Sequence, residues 1–404
     1  MKNILTALIL SFCTEAGGQW FTQQSGTTSP LYDIEFINDK TGWCCGEGGY
    51  IIKTTNGGIN WIRQGQGVTS RPLYGIHPVD SNIVYAAGLF RDIVKTTNGG
   101  ADWILIQSGA LGDGNYTCTF FINENTGWFG NFDSPEYGVR KTTDGGQTIL
   151  SSPYLAIPQD LYFRDSINGI GVGEGSRIHK TLNGGLNWHT FTIAPSGNFY
   201  RVSFLNGSTG FTASHRAVYK TTDFGNTWDS VGQIEQPEGI WSIEFANSRK
   251  GFAGSSFAIW GTNDSGATWT LQVSTGVVSS IHSFNENLVW TCGNGGRIWH
   301  TTNGGVSSVM SHGANVPASF TLYQNYPNPF NSFTRFEYEI AESDRYNLKV
   351  YDVNGREIRE LFDMNLSRGS YAVAFDAGEL SSGIYFYSLS NRFQKNTLKM
   401  LVLK

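Results

Sequence analysis

KTTNGGINW, running from Lys53 to Trp61, returns six more times along the chain. The later copies are KTTNGGADW (Lys95 to Trp103), KTTDGGQTI (Lys141 to Ile149), KTLNGGLNW (Lys180 to Trp188), KTTDFGNTW (Lys220 to Trp228), GTNDSGATW (Gly261 to Trp269) and HTTNGGVSS (His300 to Ser308). Their central residues are Asn56, Asn98, Asp144, Asn183, Asp223, Asp264 and Asn303, so successive copies stand 42, 46, 39, 40, 41 and 39 residues apart. A period near 40 with β-type sequence is the length of a four-stranded propeller blade, and seven copies predict seven blades. Helical repeats of that length would place apolar residues at i, i+3, i+4 and i+7, whereas these segments alternate.

Blade one reads as four strands, Leu31 to Ile37, Gly42 to Gly46, Tyr50 to Thr55 and Asn60 to Gln64. The Asn/Asp-x-Gly element supplies residues that tolerate positive φ, and its side chain can bond the amides of its own turn, fixing the link from third to fourth strand. The Trp that follows is expected to pack between blades. Composition agrees: 50 glycines in 404 residues, 14% aromatic and only 15% charged residues suit many short strands and tight turns, and argue against disorder or a helical protein.

Thr221-x-Asp223-x-Gly225-x-Thr227-Trp228 and Thr262-x-Asp264-x-Gly266-x-Thr268-Trp269 resemble the Asp-box, or bacterial neuraminidase repeat. Joined to an upstream F-x(5 or 6)-G-W/F pattern, as in Phe36 with Gly42 and Trp43 or Phe204 with Gly210 and Phe211, the array is similar to photosystem II stability/assembly-factor-like propellers. The resemblance covers about residues 20 to 310 and implies the fold; it does not carry the photosynthetic role.

After Gly305 the pattern stops, residues 311–319 read as a linker, and a different domain is expected over 320–404. Tyr326-Pro327-Asn328-Pro329-Phe330-Asn331 resembles the Y-P-N-P-F-N signature of type IX secretion C-terminal sorting domains. Tyr351-Asp352-Val353-Asn354-Gly355-Arg356 resembles that family's Y-D-x-x-G-R hairpin, and Leu380 to Tyr385 its L-x-x-G-x-Y segment. The resemblance implies recognition by the type IX secretion machinery. Alternation along Phe336, Tyr338, Ile340 and Leu348, Val350 predicts a small immunoglobulin-like β-sandwich, with a type I′ turn at Asn354-Gly355. The predicted fold is therefore all-β, a seven-bladed β-propeller over 20–310 followed by that sandwich.

Residues 1–19 read as a signal peptide, with Lys2, an apolar run from Ile4 to Cys13 and small residues at Ala16 to Gly18. A lipoprotein signal ending at Cys13 is disfavoured by the bulky Phe12. No later segment is apolar enough to span a bilayer, so no stable membrane insertion is expected. The net charge of -5 is dispersed, with no basic stripe for nucleic acid. The expected location is secreted or at the outer cell surface, via the periplasm.

Chemistry finds little support. An arginine triad of the sialidase kind has no motif here, Phe163-Arg164-Asp165 being the nearest approach. The seven histidines and the cysteines lack metal-ligand spacing, so neither metal nor cofactor is expected. Glu47, Asp92, Glu136 and Glu174 fall in corresponding loops and define the alternative reading, a carbohydrate-active hydrolase with paired carboxylates.

The leading expectation is a binding or scaffold module for a protein or glycan. Tyr32, Tyr74, Tyr200 and Trp241 stand where the innermost strand of four blades begins, with Gln159 and Ser280 in two of the other places. Arg91, Arg177 and Arg216, with Arg71, supply polar loop groups around them. Cys45 and Cys292 hold matching places in blades one and seven, which a closed ring makes neighbours, and a disulfide there is conceivable. Finally, Trp20-Phe21-Thr22-Gln23 repeats the W-x-x-Q pattern that Val306 to Met310 lacks, which predicts Trp20 to Gln24 as the outermost strand of blade seven.

Overall fold

The structure is a computed structural model, in which residues 20–111, 113–132, 138–151, 157–193, 197–235, 239–305, 320–331 and 333–404 are described. The leader 1–19, Glu136, Val306 to Met310 and the linker lie outside them. The chain divides into two compact units, whose described residues are 20–305 and 320–404.

The first unit holds seven four-stranded antiparallel sheets. Blade 1 runs Leu31–Phe36, Gly42–Gly46, Tyr50–Thr54 and Ile62–Gln64. Its fourth strand starts two residues later than the alternation suggests, because the Asn60 amide is spent on the turn, donating to Asn56 Oδ1 at 3.0 Å. The innermost strands of blades 2 to 7 are Leu73–Pro78, Asn115–Phe121, Pro158–Phe163, Phe199–Phe204, Ile240–Phe245 and Val278–Ser283.

Four of the seven blade junctions are joined by stacked rings. An aromatic on the second strand of one blade lies flat on the phenylalanine that ends the inner strand of the next. Tyr85 stacks on Phe121 at 3.7 Å, Trp128 on Phe163 at 3.6 Å, Phe211 on Phe245 at 3.5 Å and, across the closure, Trp290 on Phe36 at 3.8 Å. The Trp after the turn then meets the same phenylalanine edge-on, as Trp61 does Phe36 at 5.8 Å and Trp188 does Phe163 at 5.9 Å. The F-x-G spacing follows from this packing. A Cβ at Gly42, Gly127, Gly169, Gly210 or Gly251 would stand 2.4 to 2.7 Å from the phenylalanine six residues earlier, too close for any side chain.

The ring closes through the N-terminal strand. Phe21–Gln24 pairs antiparallel with Arg297–Thr301, Phe21 opposite His300 and Gln24 opposite Arg297, as the outermost strand of blade 7. Ser25 Oγ donates to the Gly296 carbonyl at 2.6 Å, and buried Trp20 packs edge-on against Phe252 of blade 6. Gln23 reaches forward into blade 1, donating to the Gly57 carbonyl and accepting from Trp61 Nε1.

The cysteines are placed differently from expectation. Second-strand residues alternate between the two neighbouring blades, so Trp43 and Cys45 face blade 2, whereas Cys44 faces blade 7 and shares a core with Trp290 and Cys292. Cys44, in hydrogen-bond contact with Cys292, is the neighbour across the junction, and Cys45 lies against the Leu73 carbonyl. All four described cysteines are free and buried.

The second unit has a three-stranded sheet (Phe320–Leu322, Phe333–Ile340, Gly369–Asp376) and a four-stranded one (Glu357–Leu366, Asp344–Tyr351, Gly383–Ser390, Lys395–Val402, in that order). Both sheets contribute to one core around Phe336, Tyr346, Tyr387 and Met400. The turn at Asn354-Gly355 corrects the type I′ expectation. Only Gly355 has positive φ (+77°), its amide donates to the Asp352 carbonyl, and Asp352 Oδ1 accepts from the Asn354 and Arg356 amides, which is a type I turn followed by a left-handed glycine.

Deleting Trp20 to Gln24 removes a buried tryptophan and bares the edge of Arg297–Thr301, so the melting temperature should fall by about 10 °C in thermal denaturation of the mature chain. A drop under about 2 °C would contradict the closure.

Candidate functional site

The seven turns are rigid staples. In each, the threonine two residues before the Asn or Asp accepts from the glycine amide four residues on, as Gly58 N to Thr54 Oγ1 at 2.8 Å and Gly225 N to Thr221 Oγ1 at 2.8 Å, and the same geometry holds at Asn98, Asp144, Asn183, Asp264 and Asn303. In the fuller boxes a second threonine caps the acid, Thr227 Oγ1 donating to Asp223 Oδ2 and Thr268 Oγ1 to Asp264 Oδ2. These carboxylates are engaged by the amides and hydroxyls of their own loops.

At the opposite end of the blades, where inner strands begin, the aromatics come together in two pairs. Tyr32 and Tyr74 lie 5.2 Å apart on blades 1 and 2, and Tyr200 and Trp241 4.6 Å apart on blades 5 and 6. Trp241 is exposed, and its Nε1 donates to Ser256 Oγ. The register moves one member of this row. Val278–Ser283 carries Ser279 at the bulge where four other blades carry the aromatic, and Ser280 falls one place deeper.

The loop groups differ in exposure and in pairing. Arg177 and Arg216 are exposed beside turns of this face, and Arg91 sits in a single-turn element with φ of +59°. Arg71 is committed to buried Asp92 at 2.9 Å, and Asp92 also accepts from Thr69 and Ser108. Glu47 accepts from the Tyr32 hydroxyl at 2.6 Å. Asp92 and Glu47 therefore brace loops, and Glu136 lies outside the described residues.

Below this mouth, a cavity of about 190 Å³ lies along the inner strands, lined by residues that sequence reasoning passed over. Its upper tier is an ion cluster. Asp33 accepts from Arg201 Nη2 at 2.6 Å, from Ser280 Oγ at 2.8 Å and from the Ile76 amide at 2.9 Å, so one carboxylate links blades 1, 2, 5 and 7. Arg201 also faces Asp160 at 3.6 Å, and Asp160 accepts from the Val202 amide. Burial raises the Asp160 carboxyl to about 6 even with Arg201 opposing it.

The lower tier runs Glu35, His77, Phe120, Tyr162, Ser203, Glu244 and His282, one residue per blade. His282 Nδ1 meets Glu35 Oε2 at 2.8 Å; burial opposes both charges, yet each partner favours the other, so the Glu35 carboxyl is lowered and the His282 imidazole raised. His77 donates to the Phe121 carbonyl, and burial lowers its pKa. Glu244 accepts a hydrogen bond from the Ser203 hydroxyl, and desolvation pushes its carboxyl up to about 8 against the attraction of His282. A fixed alternation made these residues findable: they are every second residue of the inner strands.

In the second unit the Y-P-N-P-F-N segment pins the last strand. Phe330 is buried and exchanges backbone bonds with Leu401 and Leu403, Asn328 Oδ1 accepts from the Leu401 amide, and Tyr326 is exposed. Among the described residues no group of three or more His, Cys, Asp or Glu is placed to hold a metal, and no helix is long and apolar enough to cross a membrane.

Between the ordinary carboxyl value of 4.5 and about 8, the folded chain holds a proton on Glu244 that the unfolded chain has released, so this group costs stability as pH rises through that window. Glu244→Gln should therefore melt close to the parent at pH 5 and about 5 °C above it at pH 9, read by calorimetry. A difference independent of pH would contradict the assignment.

Comparison with known proteins follows these two units. The sequence model of the family described as photosynthesis system II assembly factor YCF48 matches residues 146–287, and that of the secretion system C-terminal sorting domain matches residues 324–404. No curated protein matches the chain in sequence. Among solved structures, YCF48 bound to D1 peptide is similar at 16% identity and a TM-score of 0.60, over 73% of this chain and 99% of that one. YCF48 from Cyanidioschyzon merolae follows at 16% and 0.59, over 70% and 98%, and the WD40 propeller domain of Doa1 at 10% and 0.54, over 72% and 97%. At such identities the structural likeness speaks for the fold, and the two matched segments supply the family. The chain is a BNR/Asp-box propeller, similar to YCF48, fused to a type IX secretion C-terminal sorting domain.

Proposed function

We propose that this protein is a non-enzymatic binding module of the cell exterior, which holds an extended peptide or a glycan at the mouth of its propeller. The observation that carries the reading is the pair of aromatic platforms, Tyr32 with Tyr74 and Tyr200 with exposed Trp241, set around the end of the inner strands. Flat rings with polar tips give contact area at low entropic cost, and Arg91, Arg177 and Arg216 supply hydrogen-bond donors to carbonyls, carboxylates or hydroxyls nearby. One solved relative of the same fold is a complex with a peptide, which favours a peptide ligand in this chain. The commitment of Asp92 and Glu47 to their own loops speaks against the hydrolase alternative.

Export follows from the second domain. Residues 1–19 act as a leader to the periplasm, and 320–404 act as the address read by the type IX machinery, which delivers the propeller of residues 20–310 to the surface or the medium through the linker 311–319. Two sheets around a common core support an immunoglobulin-like sandwich for the sorting domain.

Peptide and glycan arrays probed with the mature chain test the binding reading. Trp241→Ala and Tyr74→Ala should each weaken an array-selected ligand about tenfold or more, as loss of a buried aromatic anchor does at other interfaces. Full retention in both variants, or hydrolysis of the ligand, would overturn it. Deleting Phe320 to Lys404 should leave a folded propeller that accumulates in the periplasm, measured by fractionation, and its efficient release into the medium would contradict the export assignment.

A further inference from the structure

The lower tier of the central cavity is divided by character. Glu244, His282, Glu35 and His77 come from blades 6, 7, 1 and 2 and form a continuous polar arc, while Phe120 and Tyr162, from blades 3 and 4, face it with aromatic rings 5.7 Å apart. Ser203 of blade 5 completes the circle. The two rings are packed against neighbours, Phe120 against His77 at 4.9 Å and Tyr162 against Phe204, stacked at 4.4 Å.

The charges of this compartment do not balance. Asp33, Glu35, Asp160 and Glu244 bring four carboxyl groups, against which stand Arg201, His282, whose protonated form Glu35 favours, and His77, which burial favours in its neutral form. Arg201 is taken by Asp33 and Asp160, and His282 by Glu35. Glu244 is left facing the cavity without a cation of its own, and the Thr119 hydroxyl, which also lines the cavity, is buried without a hydrogen-bond partner among the described residues.

We infer that this compartment is a site for an alkylammonium group, whose charge lies against Glu244 and whose methylene chain lies on Phe120 and Tyr162. A carboxylate on one side and ring faces on the other suit a primary amine with a short chain: the ammonium gains a charge-assisted hydrogen bond and a cation–π contact, and the methylenes leave water. The volume of about 190 Å³ is far more than a bare ion needs and suits a group the size of a lysine side chain. The same chemistry arrives either on a free diamine or on the lysine of a peptide that lies across the mouth. The inference rests on the reading of the propeller as a binding module and names the chemistry at its axis.

Titration calorimetry on the mature full chain tests it, with cadaverine and Nα-acetyl-lysine methylamide as the two ammonium probes and Nα-acetyl-norleucine methylamide as the neutral control. Both ammonium probes, or one of them, should bind while the norleucine derivative does not; binding by the lysine derivative alone assigns a peptide source and by cadaverine alone a free amine. Affinity should rise from pH 6 to pH 8.5, because the bound cation favours ionised Glu244; loss of the His282 proton and of the proton still held by Asp160 at the acid end act in the same direction, while Glu35 and Arg201 keep their charges. Glu244→Gln should weaken the probe about tenfold, and Phe120→Leu about fivefold, while both retain the parent's cooperative melting. Equal affinity for the norleucine derivative, unchanged affinity in a folded Glu244→Gln chain, equal competition by sodium and potassium chloride at matched ionic strength, or no heat with either ammonium probe would overturn the site. Array ligands that still depend on Trp241 after such a result would leave the binding module standing without the ammonium site, whereas loss of both would remove the module as well.

Discussion

The structure depends on one lateral packing position repeated around a ring, filled at four of the seven junctions by an aromatic of one blade stacked on the inner-strand phenylalanine of the next. A single four-stranded sheet has two apolar faces and cannot stand alone in water, so each blade is stable only between neighbours. The stack sets the spacing between blades, the glycine six residues after the phenylalanine lets the next strand pass beneath the ring, and the Asp-box turn seals the outer side with its tryptophan. Trp128 Nε1 donates to the Gly184 carbonyl and Trp290 Nε1 to the Gly57 carbonyl, so the same aromatic that stacks also clasps the neighbouring turn. Because every face needs a partner, the last blade must meet the first, and the strand Phe21–Gln24 supplies that join through backbone bonds.

Closing the ring brings seven inner strands around one axis, and this has an electrostatic consequence. Asp33, Asp160 and Arg201 become neighbours across the ring although they are far apart in sequence, and with Ile76 and Ser280 the cluster draws on five different blades. A buried carboxylate held by an arginine is destabilising once either partner is removed, so the cluster ties the blades to one arrangement. Beneath it, an incompletely compensated carboxyl and an aromatic arc give the axis a ligand preference that the outer surface lacks.

Much of this was legible in the sequence. Seven copies of the turn motif gave the blade count, the W-x-x-Q pattern at Trp20 pointed to the closure, and the Y-P-N-P-F-N segment marked the second domain. What escaped depends on lateral relations between strands. No single residue type runs through the lower tier, so no repeat announces it; it emerges only when the inner strands are laid side by side in register. Ser280 was placed one row too high because Ser283 holds the position of the usual phenylalanine, and counting from Phe284 shifts the register. Cys45 was paired with Cys292 by matching position, yet matching positions point the same way around the ring, and the residue that points back toward blade 7 is Cys44. The Asn354-Gly355 turn shows the same limit on a small scale, since the dipeptide serves two turn types and the Asp352 side chain selects one of them.

Hydrogen exchange of the mature full chain, with and without an array-selected ligand, tests the account most directly. Protection on binding should concentrate in the inner strands and their first residues, at Leu31–Phe36, Leu73–Pro78, Phe199–Phe204 and Ile240–Phe245, while the outer strands Ile62–Gln64 and Thr270–Ser274 exchange as before. Protection confined to the outer strands, or to the sorting domain, would place the ligand away from the axis and contradict the account.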